Sequence, residues 1–180
     1  MRSLRHVWIS QSIALVLVSG ACTFSPPTRA QHATETSPTI SNVVDGDTVV
    51  VRFPGGEEEV VRLLGIDTPE SVDPNRPVQC FGAEATADVT ALIPPGTPIR
   101  LERDVEARDH FGRLLAYIYR REDDVFVNHH LVLRGFADVA IYEPNTAYSD
   151  DFEAAATTAR TQSRGLWSAC GGPDMALDPP

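Results

Sequence analysis

Val61-Arg62-Leu63-Leu64-Gly65-Ile66-Asp67-Thr68-Pro69-Glu70 changes character half-way along. Val61, Leu63, Leu64 and Ile66 are apolar and suit a buried strand. Asp67-Thr68-Pro69-Glu70 then stops it, because Pro69 cannot donate to a sheet ladder and holds Thr68 extended. Two carboxylates are thereby placed on a rigid turn at a strand end, with Arg62 interrupting the apolar run before them. Taken alone, the stretch reads equally as an arginine on a solvated face and an aspartate opening a turn. The flanking sequence has to decide.

Upstream, Ile40, Val43 and Val44 suggest a first strand and Thr48 to Phe53 a second, with the Asp45-Gly46-Asp47 turn between them. Pro54-Gly55-Gly56 turns the chain again, and Glu57-Glu58-Glu59 is read as a solvated hairpin end. Downstream, 71–79 contains Pro74 and Pro77 without an apolar pattern, which predicts an exposed loop. Phe81 to Ile93 has helical spacing and is stopped by Pro94-Pro95-Gly96. Ile99 to Arg103 and Leu114 to Tyr119 read as strands, with a tight loop at Asp109-His110-Phe111-Gly112-Arg113 between them. Val127 to Arg134 reads as a helix closed by Gly135, and Phe136 to Tyr142 as extended. Ser149 to Ser163 reads as a helix with Ser149 as N-cap and acids near its positive end. Trp167 is expected in the core, and His129 and His130 on a helix surface. Five strands in a β-β-β-α-β-β-α order with about three helices match a five-stranded Greek-key β-barrel, the OB-fold, in a single α+β domain. The open face of that architecture commonly binds oligonucleotides or oligosaccharides.

The 180 residues hold one domain with a real core, and hardly two. Residues 1–21 read as an export signal: Arg2, Arg5 and His6 form a basic start, an apolar run follows, and small residues lead to Cys22. Ser19-Gly20-Ala21-Cys22 also resembles a bacterial lipoprotein processing site, although Ser19 stands where leucine is usual. Free secretion and lipidation at Cys22 both fit, and either places the protein outside the cytoplasm. Residues 22–38 read as a linker, 39–170 as the folded domain and 171–180 as a tail. In an oxidising compartment two thiols within one domain usually pair, which leaves Cys80 and Cys170 as natural partners; two buried free thiols are the alternative. No Cys-x-x-Cys spacing or Cys/His cluster points to zinc.

The formal charge is −10, and loss of a signal holding two arginines and no acid takes it to −12. The sequence contains no lysine, so every permanent side-chain cation is arginine. Such an acidic surface does not attract phosphate chains at long range. A phosphodiester substrate would need a local positive site or a bound metal. Hydrolysing one requires carboxylates for a hard cation, a further carboxylate to orient or deprotonate water, and forked guanidinium donors for the phosphate oxygens. Asp47, Asp67, Glu70, Arg62 and Arg113 supply that set from turns and strand ends. Each alone has an ordinary structural explanation.

Together they resemble the staphylococcal nuclease (thermonuclease) family. The resemblance is carried by Val44-Asp45-Gly46-Asp47-Thr48, Arg62 to Glu70, Phe81-Gly82-Ala83-Glu84-Ala85, Asp109 to Tyr119 and Gly165-Leu166-Trp167, and it covers Thr39 to Trp167 in order. It implies a Ca2+ ion held by Asp47, Asp67 and the Thr68 carbonyl, with Glu70 acting on the attacking water and Arg62 and Arg113 on the phosphate. It further implies a calcium-dependent nuclease acting on DNA and/or RNA and leaving 3′-phosphate ends. His110 and Phe111 replace the lysine and tyrosine of the family archetype, and Ile141 replaces another tyrosine, with Tyr142 matching a later one. His110, Phe111 and Tyr142 are therefore candidate nucleotide contacts. A monomer with no protein partner is expected, touching a membrane only through a lipid at Cys22. Two other classes compete: a non-catalytic OB-fold binding module, and a calcium-stabilised structural domain. Neither has a use for Glu70, Arg62 and Arg113 together.

Overall fold

The computed structural model describes residues 37–177 except 73, 75 and 76. The export signal, Cys22 and most of the linker lie outside the described residues. Strands β1 (Thr39–Val43), β2 (Thr48–Arg52), β3 (Glu58–Leu63), β4 (Ile66–Asp67), β5 (Ile99–Glu102), β6 (Leu114–Arg120) and β7 (Asp138–Val139) are accompanied by helices α1 (Gly82–Leu92), α2 (Val127–Arg134), α3 (Ser149–Thr161) and α4 (Leu166–Ala169). Five strands form one sheet in the order β1-β2-β3-β6-β5, and β4 pairs with β7 in a small second sheet. All neighbours in the large sheet are antiparallel except β3 and β6, which run parallel with Arg62 opposite Leu115.

The two edges of that sheet meet. Thr39 bridges Pro98, the Ile40 N–H donates to the Thr97 carbonyl at 3.0 Å, and the Ile99 N–H donates to the Pro38 carbonyl at 2.9 Å. This closes the five strands on themselves, the Greek-key barrel expected of an OB-fold. Its interior follows from alternation along the strands: Val49 and Val51 of β2, Val61 and Leu63 of β3 and Ile99 of β5 are buried, whereas Arg52 and Glu58 point outward. β6 is the exception, with Leu114 to Ile118 buried on both faces. It is a central strand, and the hydrogen bond from Ile118 to Asn128 and the edge contact of the Tyr117 and Phe126 rings show α2 and its approach packed on it.

The first strand of the site is shorter than its apolar run suggests. β3 ends at Leu63, and Gly65, with φ +77°, turns the chain out of the barrel before Ile66 and Asp67 pair with Val139 and Asp138. A side chain at 65 would be strained there and would collide with the ring of Phe152. Asn128 repairs the break. Its side chain is fully buried, accepting from the Ile118 N–H and donating to the Leu64 carbonyl, both at 2.9 Å. An amide side chain thus stands in for a missing peptide between diverging strands.

Other expectations shift by small amounts. Gly135 closes α2 in the left-handed conformation, as predicted. Ser149 is the first helical residue of α3 rather than its cap: its hydroxyl donates back to the Thr146 carbonyl at 3.0 Å. Only Asp138–Val139 of the extended 136–142 segment forms a strand. Leu166 takes the core position and Trp167 is half-buried beneath the Arg160 guanidinium, 4.5 Å from its ring centre. Cys80 and Cys170 form a disulfide with Cα atoms 6.0 Å apart. No helix among the described residues is long and apolar enough to cross a membrane.

Candidate active site

Four segments converge at one end of the barrel: the β1–β2 turn with Asp45 and Asp47, Arg62 on β3, the 67–70 turn, and the loop ending at Arg113 before β6. They line a cleft of about 450 Å³ that holds Asp47, Arg62, Asp67, Thr68, Glu70 and Arg113 together, with Asp45 and Phe111 beside them. The parallel β3–β6 pairing brings the two arginines close, since Val61 lies opposite Leu114.

Arg62 organises the carboxylates. Its Nε lies 3.1 Å from Asp47 Oδ1 and its Nη2 donates to Asp67 Oδ1 at 2.7 Å. Its Nη1 donates to the carbonyls of Leu63 and Ile66, both at 2.8 Å. Three guanidinium N–H groups are thereby hydrogen-bonded, and Nε adds an ion pair with Asp47. Asp47 is buried and also ties the two turns together: its Oδ2 accepts from the Thr68 N–H at 2.9 Å and the Thr68 hydroxyl at 3.1 Å, and its Oδ1 accepts from the Thr48 hydroxyl at 3.0 Å.

Arg113 is held differently. Its Nε donates to Asp109 Oδ2 at 2.7 Å, while Asp109 Oδ1 accepts the Arg113 N–H at 2.9 Å. Among the described residues its two terminal nitrogens have no hydrogen-bond partner, which leaves a planar fork facing the cleft. Burial would raise the Asp109 carboxyl, but the bonds from Arg113 outweigh it and hold the group below its usual range. Arg108 braces the same loop, donating to the Gly112 carbonyl at 2.7 Å and to Glu59 at 3.0 and 2.8 Å. The glutamate run therefore does more than solvate a hairpin.

Glu70 sits at the end of its turn, with Oε1 accepting from the N–H groups of Ser71 at 2.8 Å and Val72 at 2.9 Å. The sequence marks Asp45 only as a turn residue. It lines the cleft, and burial followed by the adjacent Asp47 carboxylate pushes its carboxyl up to about 6. The second acid of Asp-Gly-Asp was the available signal. Asp109 opens the 109–119 stretch that carries the resemblance, but its partner and that of Arg108 are set by the loop's shape.

His110, Phe111 and Tyr142 line an adjoining cavity of about 710 Å³ that shares Arg62, Phe111 and Arg113 with the cleft. Phe111 is 71% exposed and Tyr142 73% exposed, so two aromatic faces stand open next to the charged groups. The disulfide lies outside both cavities.

A model of the staphylococcal nuclease homologue family matches residues 60–169. This chain belongs to the staphylococcal nuclease family. The match takes in Arg62, Asp67, Glu70 and Arg113; Asp47 precedes it. Among curated relatives, the thermonuclease of Staphylococcus hyicus is 36% identical over 137 residues, covering 76% of this chain and 79% of the relative. The thermonuclease of Staphylococcus intermedius is 38% identical over 128 residues, covering 71% and 74%. Endonuclease YncB of Bacillus subtilis is 39% identical over 135 residues, covering 74% and 62%. The staphylococcal nuclease fold of this chain thus carries its charged cleft at the end of the barrel where β3 leaves the sheet.

Proposed function

We propose that the protein is a calcium-dependent nuclease that hydrolyses phosphodiester bonds of DNA and/or RNA and leaves 3′-phosphate ends. The observation that carries this is the meeting, in one cleft, of Glu70, the Asp47–Asp67 carboxylates and two guanidinium groups. The relatives' names, thermonuclease and endonuclease, support the same reading.

The donors fit a hard cation. Asp47, Asp67 and the Thr68 carbonyl offer oxygen only, and the cleft brings the carboxylates of Asp45, Asp47, Asp67 and Glu70 against the two guanidinium groups of Arg62 and Arg113. Among the described residues no three His, Cys, Asp or Glu side chains form a metal cage, so water and phosphate oxygens would complete the shell. Bound there, Ca2+ supplies Lewis acidity at the phosphoryl oxygens and an anchor for the substrate. Glu70 orients the attacking water and takes its proton. Arg113 presents its free fork to the phosphate, where charge builds as the transition state forms. Arg62 is bound to two carboxylates and two backbone carbonyls and meets the phosphate from beside them, so the two arginines have unequal duties. Phe111, His110 and Tyr142 offer ring faces to a base next to the scissile group.

Export by the amino-terminal signal, as a free or Cys22-lipidated monomer, completes the proposal, and the disulfide is in keeping with an oxidising compartment. Plasmid DNA and RNA are digested with calcium, with chelator and with magnesium, and the ends tested for phosphatase-dependent extension by a polymerase. Cleavage that needs calcium and yields blocked 3′ ends is expected. Binding without cleavage in calcium would leave an OB-fold binding module instead.

A further inference from the structure

Both peptide groups of Glu70 end on one residue. Gln79 Oε1 accepts the Glu70 N–H at 2.7 Å, and the Gln79 N–H donates to the Glu70 carbonyl at 2.8 Å. The start of α1 presses on the same peptide: a Cβ on Gly82 would stand 2.7 Å from the Glu70 carbonyl oxygen and 2.8 Å from that of Pro69. The Glu70 carboxylate is itself folded onto its own turn through Ser71 and Val72, so its direction follows the backbone at 70. That backbone gains little from burial nearby, for Val72 is 53% and Val78 44% exposed.

Gln79 is in turn held from outside the barrel. Its Nε2 donates to Asp174 Oδ1 at 3.1 Å. Asp174 belongs to a carboxy-terminal segment that runs antiparallel to 78–80: the Cys80 N–H donates to the Met175 carbonyl at 2.7 Å, Gln79 bridges Ala176, and the Leu177 N–H donates to the Val78 carbonyl at 3.1 Å. The Cys80–Cys170 disulfide ties the two segments together next to this pairing.

We infer that Gln79 is a positioning residue for Glu70, and that the disulfide-tied segment 170–177 belongs to the catalytic apparatus as the clasp that holds Gln79. The inference rests on the reading of Glu70 as the group that acts on water. Its physical content is a division of labour. Arg62 is fixed on β3 and Arg113 by Asp109 in the loop before β6, so both bind phosphate whether or not the clasp is closed. Glu70 is fixed by the clasp, and a small displacement of a reacting group lowers turnover without altering binding.

The test uses the full chain with Gln79→Met, which keeps length and removes the two side-chain hydrogen bonds while leaving the backbone one to the Glu70 carbonyl, and with Asp174→Ala and Asp174→Asn. Turnover, KM, affinity for a phosphorothioate oligonucleotide and melting temperature are measured in saturating calcium. Gln79→Met should lower kcat by roughly tenfold to a hundredfold, with KM, oligonucleotide affinity and melting temperature close to those of the unmodified protein. Asp174→Ala should act in the same direction more weakly. Asp174→Asn, which retains an acceptor oxygen for Gln79, should restore turnover. In a Glu70→Gln background Gln79→Met should have no further effect, because the group it positions is gone. Unchanged turnover in Gln79→Met, with turnover lost in Glu70→Gln, overturns the clasp and leaves the role of Glu70 standing. Normal turnover in Glu70→Gln overturns both. A further fall in the double variant, or parallel losses of affinity and melting temperature, shows a general structural role and overturns the inference.

Discussion

Replacing Arg62 by methionine should destabilise the protein by an amount that depends on calcium. Without the ion, Asp47 loses its Nε partner at 3.1 Å, Asp67 its Nη2 partner at 2.7 Å, and two carbonyls lose donors at 2.8 Å. The Asp67 side chain is 50% exposed, so water screens that loss and it contributes little. The Asp47 side chain is 9% exposed, and Asp45 crowds it from the same turn. Stranding one partner of such a pair costs about 3–5 kcal/mol; taking the low end, because the cleft admits water, the melting temperature should fall by roughly 10 °C for a domain of this size. In saturating calcium the cation replaces the lost guanidinium charge beside Asp47 and Asp67, so the variant should gain more from the ion than the unmodified protein and the fall should shrink. Scanning calorimetry of both proteins, in chelator and in calcium, reads the difference directly. Equal falls in the two conditions would show that these aspartates do not hold the ion.

Asp109→Asn should loosen Arg113 while leaving the barrel intact, lowering kcat by about tenfold and weakening a bound oligonucleotide phosphate; steady-state kinetics with an inhibitor titration at fixed salt checks it. Asn128→Ala strands the Ile118 N–H and the Leu64 carbonyl in a fully buried site, so chemical denaturation should show a loss of about 2–4 kcal/mol. Burial, opposed by Asp88 and aided by Arg134 and Arg120, lowers the His130 imidazole below its ordinary 6.5. The folded state then binds fewer protons than the unfolded one, so this contribution is present above pH 6.5 and is lost as the pH falls below it. His130→Gln should flatten that part of the melting-temperature profile, and an unchanged slope would refute the assignment.

Barrel strands and candidate site residues were legible for different reasons. Alternation at Val49 and Val51 and the continuous apolar run of β6 are local patterns that survive in the fold. Asp47, Arg62, Asp67, Glu70 and Arg113 stand out because a charge at a strand end next to a turn has few local uses. Gly65 is inconspicuous inside an apolar run, although its left-handed backbone is what ends β3 and aims the 67–70 turn. Trp167 lost the core to Leu166 because helix α4 turns the smaller side chain inward. Asn128 and Gln79 could not have been found by pattern at all. Each is a polar residue whose purpose is set by partners far away in sequence, at Leu64 and at Asp174.

The parallel pairing of β3 with β6 bears on when activity appears during folding. Arg62 and Arg113 come from halves of the chain separated by a loop, helix α1 and strand β5. Contacts of such long sequence separation form late, because chain closure must precede any gain from them. The hairpin of β1 to β3 can bring Asp47 to Arg62 early, but the free guanidinium fork arrives only when β6 docks. A nascent or extended chain therefore carries every residue of the cleft and none of its geometry, and stays harmless to nucleic acid until its barrel has closed.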